Sequence, residues 1–274
     1  NRPEAVLRAL ADVVAQAPIQ TEIAVIDQSD RDAYTAVADG IAALDDVRIR
    51  HVRRPERGLV GARNLGVVAT VAPLVLFLDD DVRLLPGCIT AHIRAYTDPT
   101  VGGVVGRIEE RVLRPNARRT QNRLDASGRV RTNLTGTRSQ AIETLKGANM
   151  SFRRIALEQA GPFDEAYVGT AFLEDADMST RVARCGWALR YEPGAALRHL
   201  SLPAGGVRVG SALDTERWRF HNTGYFVGRH RSTLAIGPMV ATFGAIAVSR
   251  AVAWRQPSAA PRLLAALARG WRRA

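Results

Sequence analysis

Five consecutive apolar residues, Leu74-Val75-Leu76-Phe77-Leu78, run straight into three carboxylates, Asp79-Asp80-Asp81. A run this short, with Pro73 before it and charges after it, reads as a strand buried on both faces, the pattern of a parallel sheet. Open sheets of that kind bind ligands beyond the carboxyl ends of their strands, which is where these acids fall. Three adjacent negative charges repel one another, and a divalent cation is the simplest way to hold them together. A solvated acidic turn is the plainer alternative.

The segments before this run alternate in period. Asn1 can cap a helix with Glu4 at the capping-box position and an apolar stripe of Val6, Leu7, Leu10, Val13 and Val14. Residues 22–27 read as a strand ending in Asp27, 30–44 as a helix, 47–52 as a short strand and 59–70 as a helix. This alternation predicts an α/β fold, a doubly wound and mostly parallel sheet with flanking helices. Further on, 86–96 suits a helix and 101–108 a strand. Residues 111–145 lose apolar periodicity and read as a mobile loop ordered by substrate. Order returns at 147–152, a helix with a crowded acidic first turn covers 174–185, and 187–191 and 195–200 read as short strands.

The net charge of +11 is unevenly placed, since twelve arginines and only two acids, Asp214 and Glu216, fall after residue 197. So one-sided a tail favours an anionic surface. Residues 234–249 are apolar for sixteen positions and stopped by Arg250, short of the roughly 20 needed to cross a bilayer. Residues 262–273 set Leu263, Leu264, Leu267 and Trp271 among arginines, in the manner of an interfacial helix. The expectation is a C-terminal helical extension in peripheral contact with a membrane; a helical pair completing the core or forming a homodimer interface is the alternative. No nucleic-acid motif accompanies the arginines, so no nucleic-acid partner is expected. Two cysteines, Cys88 and Cys185, are too few for a disulfide framework and suit a reducing compartment.

Four features converge on one chemistry: Asp27 at a strand end, the 79–81 cluster, Glu174-Asp175-x-Asp177 at a helix start, and His199. Metal-assisted transfer needs a cation on a leaving diphosphate, a base for an incoming hydroxyl and a pocket for a nucleotide. Oxygen ligands suit Mg2+ or Mn2+, and an imidazole ligand tilts the choice toward Mn2+.

The motifs stand in a telling order: N-R-P-E, V-I-D-Q-S-D, G-L-V-G-A-R-N-L-G, L-F-L-D-D-D-V, K-G-A-N-M-S-F-R-R, G-P-F-D-E and L-E-D-A-D-M-S-T-R-V-A-R-C-G. Over roughly residues 1–200 this resembles a bacterial, non-processive family 2 glycosyltransferase of GT-A fold. The resemblance implies a nucleotide-sugar-binding half at 1–109, an acceptor-binding half at 110–231 and the C-terminal segment at 232–274. By position, Asp27 resembles the acid that bonds the nucleobase, and Arg63 the residue facing the nucleotide. Asp79 and Asp81 resemble the D-x-D pair that holds ribose and metal respectively, with Asp80 near the donor sugar. Asp175 resembles the general base and His199 the histidine completing metal ligation. Gly147, Ala148, Asn149 and Glu174 fall at the acceptor floor; tight packing and a favourable helix start are the alternatives for these. The implied function is metal-dependent, inverting transfer from a nucleoside-diphosphate sugar to a glycan or lipid-linked acceptor. Such a role belongs to cell-surface polysaccharide or glycolipid synthesis, on the cytoplasmic side at the inner face of the membrane.

Two departures matter. The family pattern carries a buried strand ahead of N-R-P, and this sequence begins after it. Arg217-Trp218 half-matches the Q-x-x-R-W element of processive synthases, but Asp214 stands where the Gln would be. The rival enzymes are a haloacid-dehalogenase-type phosphatase, whose acidic motif also follows a strand, and a sugar nucleotidyltransferase. The phosphatase usually carries its motif on the first strand and needs a later catalytic lysine, whereas β/α structure precedes the motif here and Lys146 belongs to the K-G-A-N segment. A basic-tail nucleic-acid binder is the non-enzymatic rival, distinguished by salt-sensitive oligonucleotide binding.

Overall fold

A computed structural model describes residues 2–110, 120–202 and 210–274. Helix α1 (Pro3–Gln16) starts on a proline, whose fixed φ suits the first turn; the expected Asn1 cap lies outside the described residues. There follow β1 (Ile23–Asp27), α2 (Arg31–Leu44), β2 (Ile49–Arg53), α3 (Leu59–Val68) and β3 (Leu74–Leu78), the alternation that the sequence predicts. Asp30 caps α2 by accepting from the Ala33 N–H at 3.1 Å. β1 and β2 pair in parallel, with Asp27 opposite Arg53.

After β3 the chain turns through the three aspartates into β4 (Val82–Leu84), α4 (Cys88–Ala95) and β5 (Val101–Glu110). Then come β6 (Gln121–Leu124), β7 (Val130–Asn133), β8 (Gln140–Ala141), β9 (Asn149–Arg153), α5 (Arg154–Ala160), α6 (Glu174–Arg184) and β10 (Ala188–His199). Among the described residues the central sheet has the order β3-β9-β5-β10-β4, with β8 also on β10. β5 and β10 are parallel, and β3 shares their direction because β9 lies antiparallel between β3 and β5. The carboxyl ends of β3, β5 and β10 therefore line one edge, together with the start of β9. Antiparallel β4 closes that edge and sets Val82 opposite His199.

The sheet is held by close packing. Val104, Val105, Met150, Phe152 and Leu197 have no exposed surface, and Phe77, Phe152 and Phe163 meet edge to face. Burying each such side chain contributes about 1.5–3 kcal/mol. Gly106 is required where β5 meets the irregular middle of β10, since a Cβ there would stand 1.8 Å from the Ala195 carbonyl oxygen.

Three expectations need correction. Residues 120–145, expected as loop, form β6, β7 and β8, while 111–119 lie outside the described residues. Buried polar groups order this stretch: Asn122 donates to the Thr144 and Leu145 carbonyls at 3.1 and 2.9 Å, and the Thr144 hydroxyl returns a bond to the Asn122 carbonyl at 3.0 Å. Apolar periodicity does not register that kind of order. The two short strands expected at 187–200 are one strand, β10, whose pairing slips between Glu192 and Leu197, around Pro193-Gly194.

The third correction concerns the C-terminal helices α7 (Ala212–His230), α8 (Ile236–Ala253) and α9 (Ala259–Arg273). With the preceding 3-10 turn, α8 runs unbroken over 21 residues, Thr233–Ala253, long and apolar enough by length and composition to cross a membrane. Arg250 does not stop it. Conversely, α9 is no free interfacial helix: Leu263 and Leu267 are buried in the core cluster that also holds Phe220 and Phe226 of α7. The α7–α9 contact is close because both sides carry glycine; a Cβ on Gly224 would stand 2.1 Å from Leu267 O, and one on Gly270 1.9 Å from His221 O.

Candidate active site

The β4–β10 register brings together residues 118 positions apart in sequence. Asp81 Oδ lies 3.2 Å from His199 Nε2, and Asp79, Asp81 and His199 each offer a ligand atom within 4.8 Å of the others. His199 is oriented by the Ser201 hydroxyl, 3.0 Å from Nδ1, which leaves Nε2 toward the acids. Ser201 itself sits at φ 49°, an uncommon conformation that turns Leu202 back toward Asp81. The Leu200 N–H donates to the Asp81 carbonyl at 2.8 Å and the Leu202 N–H to its side chain at 3.1 Å. Two carboxylates and an oriented imidazole make a donor set that fits Mn2+ or Mg2+. Burial opposes ionisation of Asp81, but the His199 and Leu202 hydrogen bonds and the Arg2 charge hold its pKa at about 2. The bond to Asp81 in turn raises that of His199. Asp80 is pushed up by burial and by its acidic neighbours, despite Arg2 at 3.2 Å.

Asp27 ends β1 with its carboxylate buried and engaged. It accepts from the Ser29 N–H at 2.8 Å and lies 3.0 Å from His51 Nε2. Burial works against the charge, yet those bonds keep Asp27 below the ordinary carboxylate range. His51 stacks on Tyr34 at 4.3 Å, and the Arg53 guanidinium lies over the same ring at 5.1 Å. The sequence assigns no role to His51, because nothing local links it to an acid 24 residues away.

Arg63 of α3 is buried between the two halves of the site, pairing with Glu174 and lying 3.8 Å from Asp79. Glu174, expected at the acceptor floor, is instead 4% exposed and turned onto Arg63. Burial pushes its carboxyl up against the pull of that guanidinium, and its Oε2 has no hydrogen-bond partner among the described residues. Gly147 makes room for Arg63, since a Cβ would stand 2.2 Å from Nη2. Asn149, also expected at the floor, is fully buried, donating to the Ala195 carbonyl at 2.8 Å and bonding His92 at 2.9 Å. It fastens β9 within the sheet. Ala148, at 3% exposure, is likewise packed inside.

Asp175 differs from its neighbours in being partly exposed. Its carboxylate accepts from the Gly147 N–H at 3.0 Å and the Ala176 N–H at 2.8 Å, so backbone groups aim it, with the Arg63 charge nearby. The turn into α6 passes through Ala171 at φ 54° and Leu173 at φ 75°, and such positive φ values in non-glycine residues gather at functional sites. Asp177 points away, fully buried against Arg181 at 2.8 Å and His230 at 2.6 Å, and anchors α6 to α7.

The profile of the family described as "Glycosyl transferase family 2" matches residues 1–161. A pre-mycofactocin glycosyltransferase of Mycobacterium tuberculosis is 31% identical over 167 residues, 59% of this chain and 34% of that protein. The succinoglycan biosynthesis protein ExoO of Rhizobium meliloti is 32% identical over 87 residues, 31% of this chain and 24% of that protein. The chain thus spans about a third or less of the length of these relatives. Among solved structures, the mannosyltransferase PcManGT from Pyrobaculum calidifontis, in complex with GDP-Man and Mn2+, superposes with a TM-score of 0.61 at 20% identity, covering 98% of this chain and 71% of that one. GalNAc-T7 with UDP, GalNAc and Mn2+ gives 0.62 at 16% identity, covering 82% and 48%. The fold is that of the GT-A glycosyltransferases.

Proposed function

The chain belongs to glycosyl transferase family 2, and from that premise we propose that it moves a sugar from a nucleoside-diphosphate donor to an acceptor hydroxyl with inversion. The observation that carries this reading is the shared edge: Asp79, Asp81 and His199 on one side, the partly exposed Asp175 on the other, and Arg63 reaching toward both. Asp27 and the Tyr34–His51 stack form the nucleobase end. A lowered pKa keeps Asp27 an acceptor, suited to a base that presents an N–H. Mn2+ or Mg2+ held by Asp79, Asp81 and His199 would supply Lewis acidity that offsets charge on the departing diphosphate. Asp175 takes the acceptor proton, and the oxygen attacks the anomeric carbon from the face opposite the leaving group in one displacement. The two backbone N–H groups on its carboxylate fix the direction from which that proton is taken. Glu174 holds Arg63 in place against Asp79. The phosphatase and nucleotidyltransferase alternatives fall with the family assignment.

The acceptor is, on this reading, a glycan or a lipid-linked molecule at the inner face of the membrane. Supporting this, Met239, Phe243 and Ala247 fix one face of α8 to the domain, while Val240, Val248 and Val252 are 50–73% exposed on the other. Arg255 lies next to Val248 and Val252, and Arg262, Arg269, Arg272 and Arg273 are exposed on α9. An exposed apolar helix face within so cationic a C-terminal segment suits docking in the plane of an anionic lipid surface.

Thermal-shift titration with UDP, GDP and dTDP, each with and without Mn2+, tests the donor reading. One of these nucleotides should raise Tm only when Mn2+ is present, and Asp81→Ala should remove the increment. Stabilisation by nucleotide that ignores both Mn2+ and Asp81→Ala would overturn it.

A further inference from the structure

Arg2 is the residue of the site whose placement the proposed reaction does not use. Its guanidinium is nearly buried, with 9% side-chain exposure. Nη1 lies 3.2 Å from Asp80 and 3.0 Å from Asp81 Oδ2, and Nη2 donates to the Leu202 carbonyl at 3.3 Å. Asp81 thus has two faces. Oδ2 receives Arg2 and the Leu202 N–H, while Oδ1 is the atom turned to His199.

A guanidinium on one oxygen and a metal ion on the other would share a single carboxylate. Charges sharing one carboxylate fall within the ~8 Å over which 0.15 M salt screens exposed charges, and the Arg2 and Asp81 side chains are only 9% and 6% exposed. Arg2 cannot relieve the conflict by losing its proton, because a guanidinium stays charged in proteins. It is also fastened on a third side, by the Leu202 carbonyl, so it is held against the cluster rather than merely drawn to it. A nucleoside diphosphate changes the sign of the problem. Its phosphates bring negative charge to the same edge, and a cation repelled by Arg2 on the bare protein is then offset by the incoming anion.

Resting on the metal and donor reading above, we propose that Arg2 keeps the bare site from holding its cation tightly and thereby makes cation binding depend on the nucleoside diphosphate. Arg2 is then a residue that couples two ligands, and the coupling is reciprocal: the factor by which nucleotide tightens the cation equals the factor by which the cation tightens nucleotide.

The test is calorimetry of Mn2+ alone, and of Mn2+ in saturating GDP or UDP, on the wild type, Arg2→Gln and Arg2→Lys. Arg2→Gln should bind Mn2+ alone at least tenfold tighter than the wild type, and the nucleotide-induced gain should shrink by the same factor. Arg2→Lys, which keeps the charge, should stay within about threefold of the wild type. A residue that merely props up Asp81 predicts the opposite sign, since losing an outer partner of a metal ligand typically costs 10–100-fold in affinity. Unchanged or weaker Mn2+ binding in Arg2→Gln therefore overturns the proposal while leaving the donor reading intact. Should Arg2→Gln fail to fold, the wild type decides: Mn2+ must bind at least tenfold tighter with nucleotide than without, and equal affinity overturns it. No Mn2+ binding under any of these conditions would overturn both readings.

Discussion

His92 shows how much a single buried side chain can organise around the site. Its two ring nitrogens lie 2.9 Å from Ser151 Oγ and 2.9 Å from Asn149 Oδ1, tying α4 to β9 just below the acids. Burial lowers its pKa from 6.5 to about 4, against the pull of the Asn149 bond. The unfolded chain takes up a proton near 6.5 and the folded one only near 4, so between these values acid favours unfolding. Relative to His92→Gln, the wild type should lose on the order of 2–3 kcal/mol of urea-unfolding stability between pH 7 and pH 4. Parallel pH profiles for the two proteins would contradict that burial. Asp79, Asp81, Asp175 and His199 were legible as residues because each sits in a local motif. Arg2, His51 and His92 were not, since their partners come from other strands and only the folded register joins them.

At the scale of elements, the glycines separate two kinds of helix contact. Gly270 lets α9 touch the backbone of α7, so Gly270→Ala forces the helices apart and should cost about 1–3 kcal/mol. Gly244 in α8 has nothing within 4 Å of its missing Cβ, so Gly244→Ala should stabilise by about 0.5–1 kcal/mol through helix propensity. Chemical denaturation of both variants checks the contrast, and the same sign for both would mean that α9 does not pack as described. The alternating strands and helices before Asp81 were readable from period alone. The β6–β8 region was not, because Asn122 and Thr144 order it through side chain-to-backbone bonds. Helices α8 and α9 were readable as helices and α7 was not, and which apolar face is covered depends on glycines in α7 and α9 that make no pattern in one dimension.

For the whole molecule, the proposed membrane contact would be made through the exposed face of α8, whose Val240, Val248 and Val252 are 50–73% exposed. Co-sedimentation with anionic liposomes should be strong, weaken severalfold in 0.5 M salt, and be lost in Val240→Asp/Val248→Asp with folding unchanged. Binding that survives those two substitutions would remove α8 from the interface. At the sheet ends, the proposed transfer needs Asp79, Asp81 and His199 to hold cation and nucleotide and the partly exposed Asp175 to act as base. The most direct measurement compares Asp175→Asn with the wild type for sugar transfer and for Mn2+-dependent nucleotide binding. The account predicts that binding stays within about twofold while transfer falls by at least ~100-fold, the usual worth of a positioned base. Transfer that persists at more than a tenth of the wild-type rate, or a parallel loss of binding, would contradict it.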